Sequence, residues 1–206
     1  MFVVVGAYVL GGFPTAALVG RRSGFDPAEA GSGNPGASNS FRLGGIRAGA
    51  LVLAGDVGKG ALGAAVGLAV GGRAWGFAAG AAAVLGHVAP LTQRFHGGKG
   101  VATAMGTLVV LVPVAAAIGA VVWLVAAALT RKAALASISM MAALVFAAAV
   151  AGRPAWETTT IGGIALMVVV RHRGNLARLR RGEEPSMMSG RAPRRSRGAV
   201  ERTRDR

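Results

Sequence analysis

The sequence predicts an all-α fold, a polytopic membrane helix bundle, from its hydropathy and from the distribution of its apolar residues. Of the 206 residues, 53% are apolar, and the mean hydropathy is +0.53. About 20 consecutive apolar residues let a helix span the hydrocarbon core of a bilayer, which is roughly 30 Å thick. A soluble domain of this length could not bury all the blocks of this kind, which cover residues 2–20, 46–70, 74–92, 101–129, 133–151 and 155–170.

Composition narrows the classes of site and segment further. The 33 glycines are typical of membrane helices, where small residues let two backbones approach closely. The absence of cysteine excludes disulfide frameworks and thiolate metal sites. Residues 1–20 lack the positively charged segment that precedes the apolar part of a signal peptide, so we expect a retained first helix.

The net charge of +15 does not point to nucleic acid. Residues 171–206 hold 12 arginines against 4 acidic residues, which accounts for more than half of the excess. Most of the remainder lies in short segments beside apolar blocks, as in membrane proteins whose cytoplasmic loops are basic. We therefore expect membrane lipid, and no nucleic acid, as the partner of these charges.

Lysine and arginine also predict the topology, because they accumulate in cytoplasmic loops. Segments 71–73 and 152–154 carry one arginine each, and we expect them outside. The block 101–129 then begins and ends inside, so it must cross twice or not at all. We expect two short helices with Pro113 as the break. The prediction is seven transmembrane helices, some short, with the N-terminus outside and the C-terminus cytoplasmic. The alternative is one long helix over this block and five or six spans.

The chain divides into a membrane domain over 1–184 and a basic tail over 185–206. The tail contains Pro, Ser, Gly and Arg with almost no apolar periodicity. We expect it to be disordered and able to lie against anionic lipid headgroups.

A glycine-rich loop at 31–42 precedes the second block. Gly31, Gly33 and Gly36 have the spacing GxGxxG, but a dinucleotide-binding fold needs a strand before this motif and a crossover helix after it, and neither is present. What remains is a turn whose backbone N–H groups can face an anion beside Arg42. An anion site and an ordinary polar loop stay equally open for this segment alone.

A second loop surrounds Lys99 with Gly97, Gly98 and Gly100 and leads directly into an apolar helix. This composition suits a phosphate at a helix N-terminus, where the helix dipole favours an anion. It is not a Walker loop, because the first glycine and the hydroxyl residue that such a loop requires are missing. The alternative for Lys99 is a basic anchor at the membrane surface. With three histidines and no carboxylate cluster, we expect no metal site.

Two further pairs of polar residues stand out. The basic segment after the last block places His172 and Asn175 three residues apart, on one face of a continuing helix. Asp56 and Lys59 are spaced i,i+3 inside the second block. Because charge inside a bilayer is expensive, we expect these two to form an ion pair that faces the protein interior.

Together these segments resemble the PlsY family, the bacterial acyl-phosphate:glycerol-3-phosphate acyltransferases. The resemblance covers residues 1–184 and keeps the order and spacing of the segments. The matching residues are Ser32-Gly33-Asn34-Pro35-Gly36-Ala37-Ser38-Asn39 with Arg42, Asp56-Val57-Gly58-Lys59-Gly60, Gly86-His87, Phe95-His96-Gly97-Gly98-Lys99-Gly100-Val101-Ala102-Thr103, and His172-Arg173-Gly174-Asn175-Leu176 with Arg178, Leu179, Gly182 and Glu183.

The resemblance implies a seven-helix enzyme of the bacterial cell membrane, expected to be a monomer, with its active site facing the cytoplasm. It implies acyl transfer from acyl phosphate to the 1-hydroxyl of glycerol 3-phosphate, giving lysophosphatidic acid and phosphate without cofactor or metal. By motif match, the catalytic positions are Ser32, Lys99, His172 and Asn175, and the phosphate-binding positions are Arg42, Ser38, Gly97, Gly98, Lys99 and Gly100.

The chain departs from the family pattern at several positions. Pro35 replaces Ile and removes a backbone donor from the first loop, Ser38 replaces Thr but keeps the hydroxyl, and His96 replaces a basic residue. In a serine-rich patch of the family, Ala134 replaces one hydroxyl. Ser137 survives there, and we expect it to bind phosphate.

Two alternatives stay open. The base is either His172, whose unperturbed pKa of about 6.5 is suitable, or a substrate phosphate, with His172 only orienting groups. The second is favoured, because no carboxylate in these loops can hold the imidazole as in a triad.

The competing function is a transporter for a phosphorylated metabolite. Such proteins often show two related halves, and this sequence shows no internal repeat of that kind.

Overall fold

The computed structural model describes residues 1–187, which form eight α-helices, one short 3₁₀ helix and no β-strand. The all-α prediction is confirmed for this part of the chain. Of the predicted tail over 185–206, the structure describes residues 185–187, where the Met187 N–H donates to the Arg131 carbonyl oxygen at 2.8 Å. The rest of the tail, from 188 onward, lies outside the described residues. The helices are α1 (Phe2–Gly11), α2 (Thr15–Ser23), α3 (Ala37–Val88), the 3₁₀ helix (Leu91–Gln93), α4 (Val101–Leu111), α5 (Pro113–Thr130), α6 (Ala133–Val150), α7 (Ala155–Arg171) and α8 (Arg173–Arg180).

Two breaks divide α3, and both occur at glycines. Gly45 has a φ of +77° and Gly72 a φ of +70°, a left-handed region that residues with side chains rarely adopt. The second break separates two apolar blocks at the point where the charge pattern predicts a loop. Helix α3 therefore consists of a short N-terminal segment (37–44), a middle segment (46–70) and a C-terminal segment (73–88).

Prolines mark two other breaks. Val112 leaves helical geometry, with φ −142° and ψ 64°, and Pro113 starts α5, so the predicted break within 101–129 is confirmed. The single helix predicted over 2–20 is wrong, because Pro14 separates α1 from α2. Proline lacks the N–H that a continuous helix requires.

The helices have the character of membrane spans. α4 is apolar but only 11 residues long. Large apolar side chains are exposed on the outer faces, for example Phe146 at 70% and Leu129 at 80%, which suits lipid and not water. Within residues 1–187, the helical stretches long and apolar enough to cross a membrane are Phe2–Ser23, Ala37–Gln93, Pro113–Thr130 and Ala133–Val150.

Glycines bring the helices into close contact. A Cβ added at Gly86 would lie 1.9 Å from the carbonyl oxygen of Tyr8, so α1 packs directly on the C-terminal segment of α3. A Cβ at Gly60 would lie 1.9 Å from the carbonyl oxygen of Thr103, so the middle segment of α3 packs equally closely on α4. Neither position has room for a side chain, and backbone contact replaces side-chain packing there.

The main apolar core lies where the C-terminal segment of α3 meets α4, α6 and α7. Its fully buried side chains include Phe77, Leu108, Leu144, Ile161 and Val168. These contacts fix the ends of the four helices. The loop around Lys99 and the segment after α7 start from those ends, so the core sets their positions.

A buried ion cluster marks one end of the bundle. Glu157, at the start of α7, is 1% exposed and accepts hydrogen bonds from Arg73 (2.7 Å) and Arg153 (2.9 Å). The segments 71–73 and 152–154, both predicted to lie outside, thus meet at this ion-cluster end. Because α4 and α7 run from one end of the bundle to the other, the glycine-rich loops lie at the opposite end, here called the loop end.

Candidate active site

A cavity of about 410 Å³ opens at the loop end. Residues of all three unusual loops line it, together with residues of α5 and α6. Gly97 and Gly98 instead border a separate small cavity of about 20 Å³ behind the loop. The other eight positions that the sequence singles out all border the main cavity: Ser32, Ser38, Arg42, Lys99, Gly100, Ser137, His172 and Asn175.

Asn39 shapes the first loop and directs Ser32 to the cavity. Its side chain is buried; Oδ1 accepts a 2.9 Å hydrogen bond from the Ser32 N–H, and Nδ2 donates to the carbonyl oxygens of Pro27 and Ala30 at 3.0 Å each. A Cβ at Gly31, whose φ is +65°, would lie 2.3 Å from Asn39 Oδ1. The sequence motif includes Asn39, but nothing in it reveals this supporting role.

The backbone of Gly97 and Gly98 is fully engaged by neighbouring helices. The Gly98 N–H donates to the carbonyl oxygen of His87 at 3.0 Å, and the Gly97 N–H donates to that of Val88 at 3.2 Å. Their own carbonyl oxygens accept hydrogen bonds from Arg171, at 2.8 Å for Gly97 and 3.2 Å for Gly98. The last carbonyls of α3 lack intrahelical partners and take up these two amides. The two glycines therefore fix the position of the loop relative to α3 and α7.

Two helix N-termini point into the cavity. Gly100, with a φ of +84°, turns the chain into α4, and Val101 and Ala102 line the cavity. Gly36 precedes α3, and Ala37 also lines the cavity. The first N–H groups of a helix have no intrahelical acceptor, and the helix dipole favours an anion beside them. The site therefore offers two separate places for anionic groups.

Lys99 projects its ammonium group into the cavity. Within the described residues the ammonium makes no hydrogen bond or ion pair. Burial lowers the pKa of Lys99 from 10.5 to about 8; nearby Glu184 acts in the opposite direction, and Arg178 and Arg42 lower the pKa further. A partly buried ammonium without a partner gains from a bound anion, because the anion restores the charged form.

His172 lies between α7 and α8 and is 2% exposed. Its Nδ1 lies 2.7 Å from the Val168 carbonyl oxygen, which can only accept, so Nδ1 carries the proton and Nε2 remains for the cavity. Burial lowers the pKa of His172 to about 4, while the Val168 hydrogen bond acts in the opposite direction. The imidazole is therefore neutral near pH 7, and Nε2 presents a lone pair.

Glu184 is a cavity residue that the sequence did not single out. Its carboxylate is 4% exposed; Oε1 accepts a 2.5 Å hydrogen bond from Asn175 Nδ2, and Oε2 accepts one of 2.9 Å from Arg178. Glu183, which the resemblance matched, is exposed and pairs with Arg181 at 2.7 Å. Composition cannot separate two adjacent carboxylates in a basic segment. Only the turn after α8 directs the second one back to the helix.

Arg42 borders the cavity with its Nε buried and without a hydrogen-bond partner. Buried polar atoms in folded proteins nearly always have a partner. A phosphate oxygen is a suitable acceptor, because the planar guanidinium matches phosphate geometry. Arg42 and Lys99 thus give the cavity two cationic groups with unused donors.

Comparisons with known proteins agree with these features. A family model described as Glycerol-3-phosphate acyltransferase matches residues 1–182. Curated relatives of that name include one from Pseudomonas syringae pv. tomato, 42% identical over 187 residues (86% of this chain, 93% of the relative). Another, from Desulforudis audaxviator, is 40% identical over 187 residues (89% and 94%). This chain belongs to the glycerol-3-phosphate acyltransferase family.

Solved structures support the same assignment. A crystal structure of PlsY, described as an integral membrane glycerol 3-phosphate acyltransferase in its glycerol 3-phosphate form, has a TM-score of 0.86 with this chain at 35% identity, over 90% of this chain and 94% of that one. A second PlsY structure, described as the lysophosphatidic acid form, has a TM-score of 0.85 at 35% identity, over 90% and 93%. The resemblance drawn from the loop motifs is confirmed: the chain is an acyltransferase and an integral membrane protein.

One side of the acyltransferase cavity is apolar. Ser137 borders this side; its hydroxyl donates to the Ala133 carbonyl oxygen at 2.8 Å and accepts from Trp123 Nε1 at 3.3 Å. Ser137 therefore positions Trp123, and it could donate to phosphate only by releasing Ala133. The apolar lining includes Leu53, Val57, Met105, Trp123 and Leu124.

The ion pair predicted inside the second block borders the acyltransferase site, because Asp56 lines the cavity. Asp56 and Lys59 lie 2.8 Å apart, both buried, which confirms the prediction. Lys59 Nζ also donates to the Phe13 carbonyl oxygen at 2.9 Å and lies 3.3 Å from His87 Nδ1. The ammonium thus joins the break between α1 and α2 to both long segments of α3. The described residues contain no group of three His, Cys, Asp or Glu side chains that could hold a metal ion.

Proposed function

We propose that this acyltransferase transfers the acyl group of an acyl phosphate to the 1-hydroxyl of glycerol 3-phosphate, giving lysophosphatidic acid and phosphate. The observation that carries the proposal is a cavity in which cationic side chains and two helix N-termini lie beside an apolar wall. The relatives are named for glycerol 3-phosphate. An acyl phosphate fits the remaining features, since it joins an anionic group to a long apolar chain.

In this proposal each phosphate group occupies one helix N-terminus. Lys99 and Gly100 bind the phosphate of glycerol 3-phosphate at the start of α4, and Ser38 and Arg42 bind that of the acyl phosphate at the start of α3. Charge-assisted hydrogen bonds are roughly twice as strong as neutral ones. The acyl chain lies along the apolar wall beside Trp123. Gly97 and Gly98 contribute by holding the loop, and Ser137 by holding the wall, with no cofactor or metal required.

The reaction needs one bond to form and one to break. The glycerol hydroxyl oxygen attacks the acyl carbon, the carbon–oxygen bond to phosphate breaks, and the hydroxyl proton leaves on the released phosphate. Negative charge develops on the acyl carbonyl oxygen, and Ser32 and Asn175 are the proposed donors to it. Asn175 retains one amide N–H beyond the one given to Glu184. A well-placed donor of this kind contributes about 3–4 kcal/mol.

His172 orients the attacking hydroxyl. Its Nε2 lone pair can accept the hydroxyl hydrogen bond, because Nδ1 is already bonded to Val168. A pKa of about 4 makes the buried imidazole a weak base. The released phosphate is therefore the final proton acceptor, and it requires no strong general acid to leave.

The proposal includes the arrangement in the membrane. Seven helices cross: α1 with α2 as the first, the middle and C-terminal segments of α3 as the next two, and α4 to α7 as the rest. The N-terminus lies outside, and the loop end faces the cytoplasm of a bacterial cell. With 11 residues, α4 is only about 16 Å long, and its close packing on α3 suits a short helix inside the bundle.

Cysteine labelling tests this orientation directly, because the chain has no cysteine of its own. Ser23→Cys reports on the loop end and Ala151→Cys on the ion-cluster end. In intact cells a membrane-impermeant maleimide should label Ala151→Cys and reach Ser23→Cys only after lysis. The reverse pattern would overturn the orientation.

The reaction itself is tested with the full chain in detergent, supplied with palmitoyl phosphate and glycerol 3-phosphate. Lysophosphatidic acid should form; Lys99→Ala should abolish it, while Arg47→Ala, an exposed cation at the same end, should not. Product from palmitoyl-coenzyme A, with none from palmitoyl phosphate, would exclude acyl phosphate as the donor. Uptake of labelled glycerol 3-phosphate into proteoliposomes without a donor would identify a transporter instead.

A further inference from the structure

A second groove lies at the ion-cluster end. It has a volume of about 690 Å³ and runs between the start of α5 and the end of α6. Ile118, Phe146 and Val150 border it and are 45%, 70% and 71% exposed. In a membrane protein, an apolar groove of this kind faces hydrocarbon chains.

Two arginines close one end of this groove. Arg73 and Arg153 both border it, and both pair with Glu157, at 2.7 Å and 2.8 Å. The arginine side chains are 41% and 33% exposed, whereas that of Glu157 is 2% exposed. Among the six carboxylates of the described residues, Glu157 alone lies at this end. One carboxylate neutralises one guanidinium, so one positive charge remains uncompensated beside an apolar surface.

The ion cluster leaves donors free on both arginines. Arg73 uses Nε and Nη2 for Glu157 and the Leu111 carbonyl oxygen, and Arg153 uses Nε and Nη2 for Glu157. Each guanidinium has five N–H donors. The buried carboxylate thus holds two partly exposed guanidiniums side by side, with unused donors on each.

We propose that this groove binds an anionic phospholipid, with its phosphate on Arg73 and Arg153 and one acyl chain between α5 and α6. Arginine matches phosphate geometry and binds it through paired hydrogen bonds. Basic pockets between transmembrane helices recognise anionic headgroups in the same way. A soluble phosphate ester would leave the apolar wall unused, and a zwitterionic lipid would gain less from the excess charge. The site lies at the opposite end from the active site and does not depend on the proposed function.

Lipid retention by the full chain in detergent tests the proposal. Native mass spectrometry compares phosphatidylglycerol and phosphatidylcholine with identical acyl chains, and thermal unfolding is followed in parallel. Phosphatidylglycerol should be retained preferentially and should raise the unfolding midpoint more. Arg153→Gln keeps the Arg73–Glu157 pair and should weaken phosphatidylglycerol binding about tenfold, and phosphatidylcholine binding clearly less, because the zwitterionic lipid gains less from the excess charge. The matched control is Arg47→Gln, at the loop end, which should leave both lipids unaffected.

A second variant guards against a misfolded Arg153→Gln. Val150→Glu leaves the ion cluster intact and adds a carboxylate to the exposed end of α6, so it should repel phosphatidylglycerol selectively. Equal retention of the two lipids would overturn the proposal, as would an equal loss in Arg47→Gln. Displacement of phosphatidylglycerol by inorganic phosphate would show a small-anion site and overturn it as well.

Discussion

Gly98 is hydrogen-bonded to the backbone of His87 and packs closely against its imidazole. The Gly98 N–H donates a 3.0 Å hydrogen bond to the His87 carbonyl oxygen, and a Cβ at Gly98 would lie 2.2 Å from His87 Nε2. His87 Nδ1 lies 3.3 Å from the ammonium of Lys59. The loop that carries Lys99 therefore rests on the buried charges of α3.

Gly98→Ala should impair glycerol 3-phosphate binding. The added methyl group has no room against the imidazole, so the loop must move and Lys99 must move with it. A displacement of about 1 Å in a catalytic site can cost up to about 100-fold, and we expect a 10–100-fold loss in kcat/KM, mainly as a higher KM. Steady-state kinetics measure it. Gly163→Ala is the matched control, because nothing lies within 4 Å of that Cβ. A normal KM for Gly98→Ala would contradict the positioning role.

Lys59→Met should destabilise the fold by about 3–5 kcal/mol, because Asp56 would remain buried and charged without its partner. The double variant Asp56→Asn/Lys59→Met removes that charge and should recover part of the loss. Unfolding in detergent measures both free energies. Arg181→Met breaks only the exposed Arg181–Glu183 pair and should have little effect. Equal losses in the single and double variants would show that charge burial is not the cause.

Glu184→Ala should lower kcat by freeing the side chains of Asn175 and Arg178, which the carboxylate now holds. Losing hydrogen bonds to a buried charged group also costs about 1–3 kcal/mol of unfolding free energy. Glu184→Gln keeps an acceptor for Asn175 and should retain more activity than Glu184→Ala. Activity and thermal unfolding are measured together. Glu183→Ala is the adjacent control, and a loss there equal to that of Glu184→Ala would contradict the assignment.

The sequence predicts most of the fold because its signals are local. Each signal determines structure within a few residues of its own position. Such signals are the apolar blocks, the proline at 113 and the arginines at 73 and 153. The break at Pro14 escapes prediction because the apolar block continues across it. The contact of Arg73 and Arg153 with Glu157 is tertiary. The charge pattern predicts only that the two arginines lie on the same side of the membrane.

The site is harder to predict because it depends on partners distant in sequence. Glycines beside Lys99 indicate a phosphate loop, but their composition does not show that the carbonyls of His87 and Val88 already accept two of the amides. The role of Asn39 likewise depends on the path of the loop before it. The spacing of the motifs predicts which residues lie at the site. Hydrogen-bond geometry is needed to separate the residues that bind substrate from those that hold the loops in place.

The affinity for glycerol 3-phosphate should fall at high pH. In the empty site the pKa of Lys99 is lowered to about 8 by burial, and a bound phosphate favours the ammonium and raises this pKa again. Binding therefore takes up a proton above about pH 8, and KM should rise there by up to about tenfold per pH unit, while it stays flat below. Lys99→Arg remains charged throughout, and its KM should be higher but independent of pH. A wild-type KM that stays constant up to about pH 10 would contradict the partly buried, unpaired state of Lys99.

Trp123→Ala should shift the preference towards longer acyl donors. Trp123 forms part of the apolar wall and is held there by Ser137, so truncation extends the space for the chain. Each methylene that fits an apolar pocket contributes about 1–3 kcal/mol, enough to change relative kcat/KM values at least severalfold. The measurement is the ratio of kcat/KM for stearoyl phosphate to that for lauroyl phosphate. Val125→Ala, on the same helix but outside the cavity lining, should leave the ratio unchanged. An unchanged ratio in Trp123→Ala would place the acyl chain elsewhere.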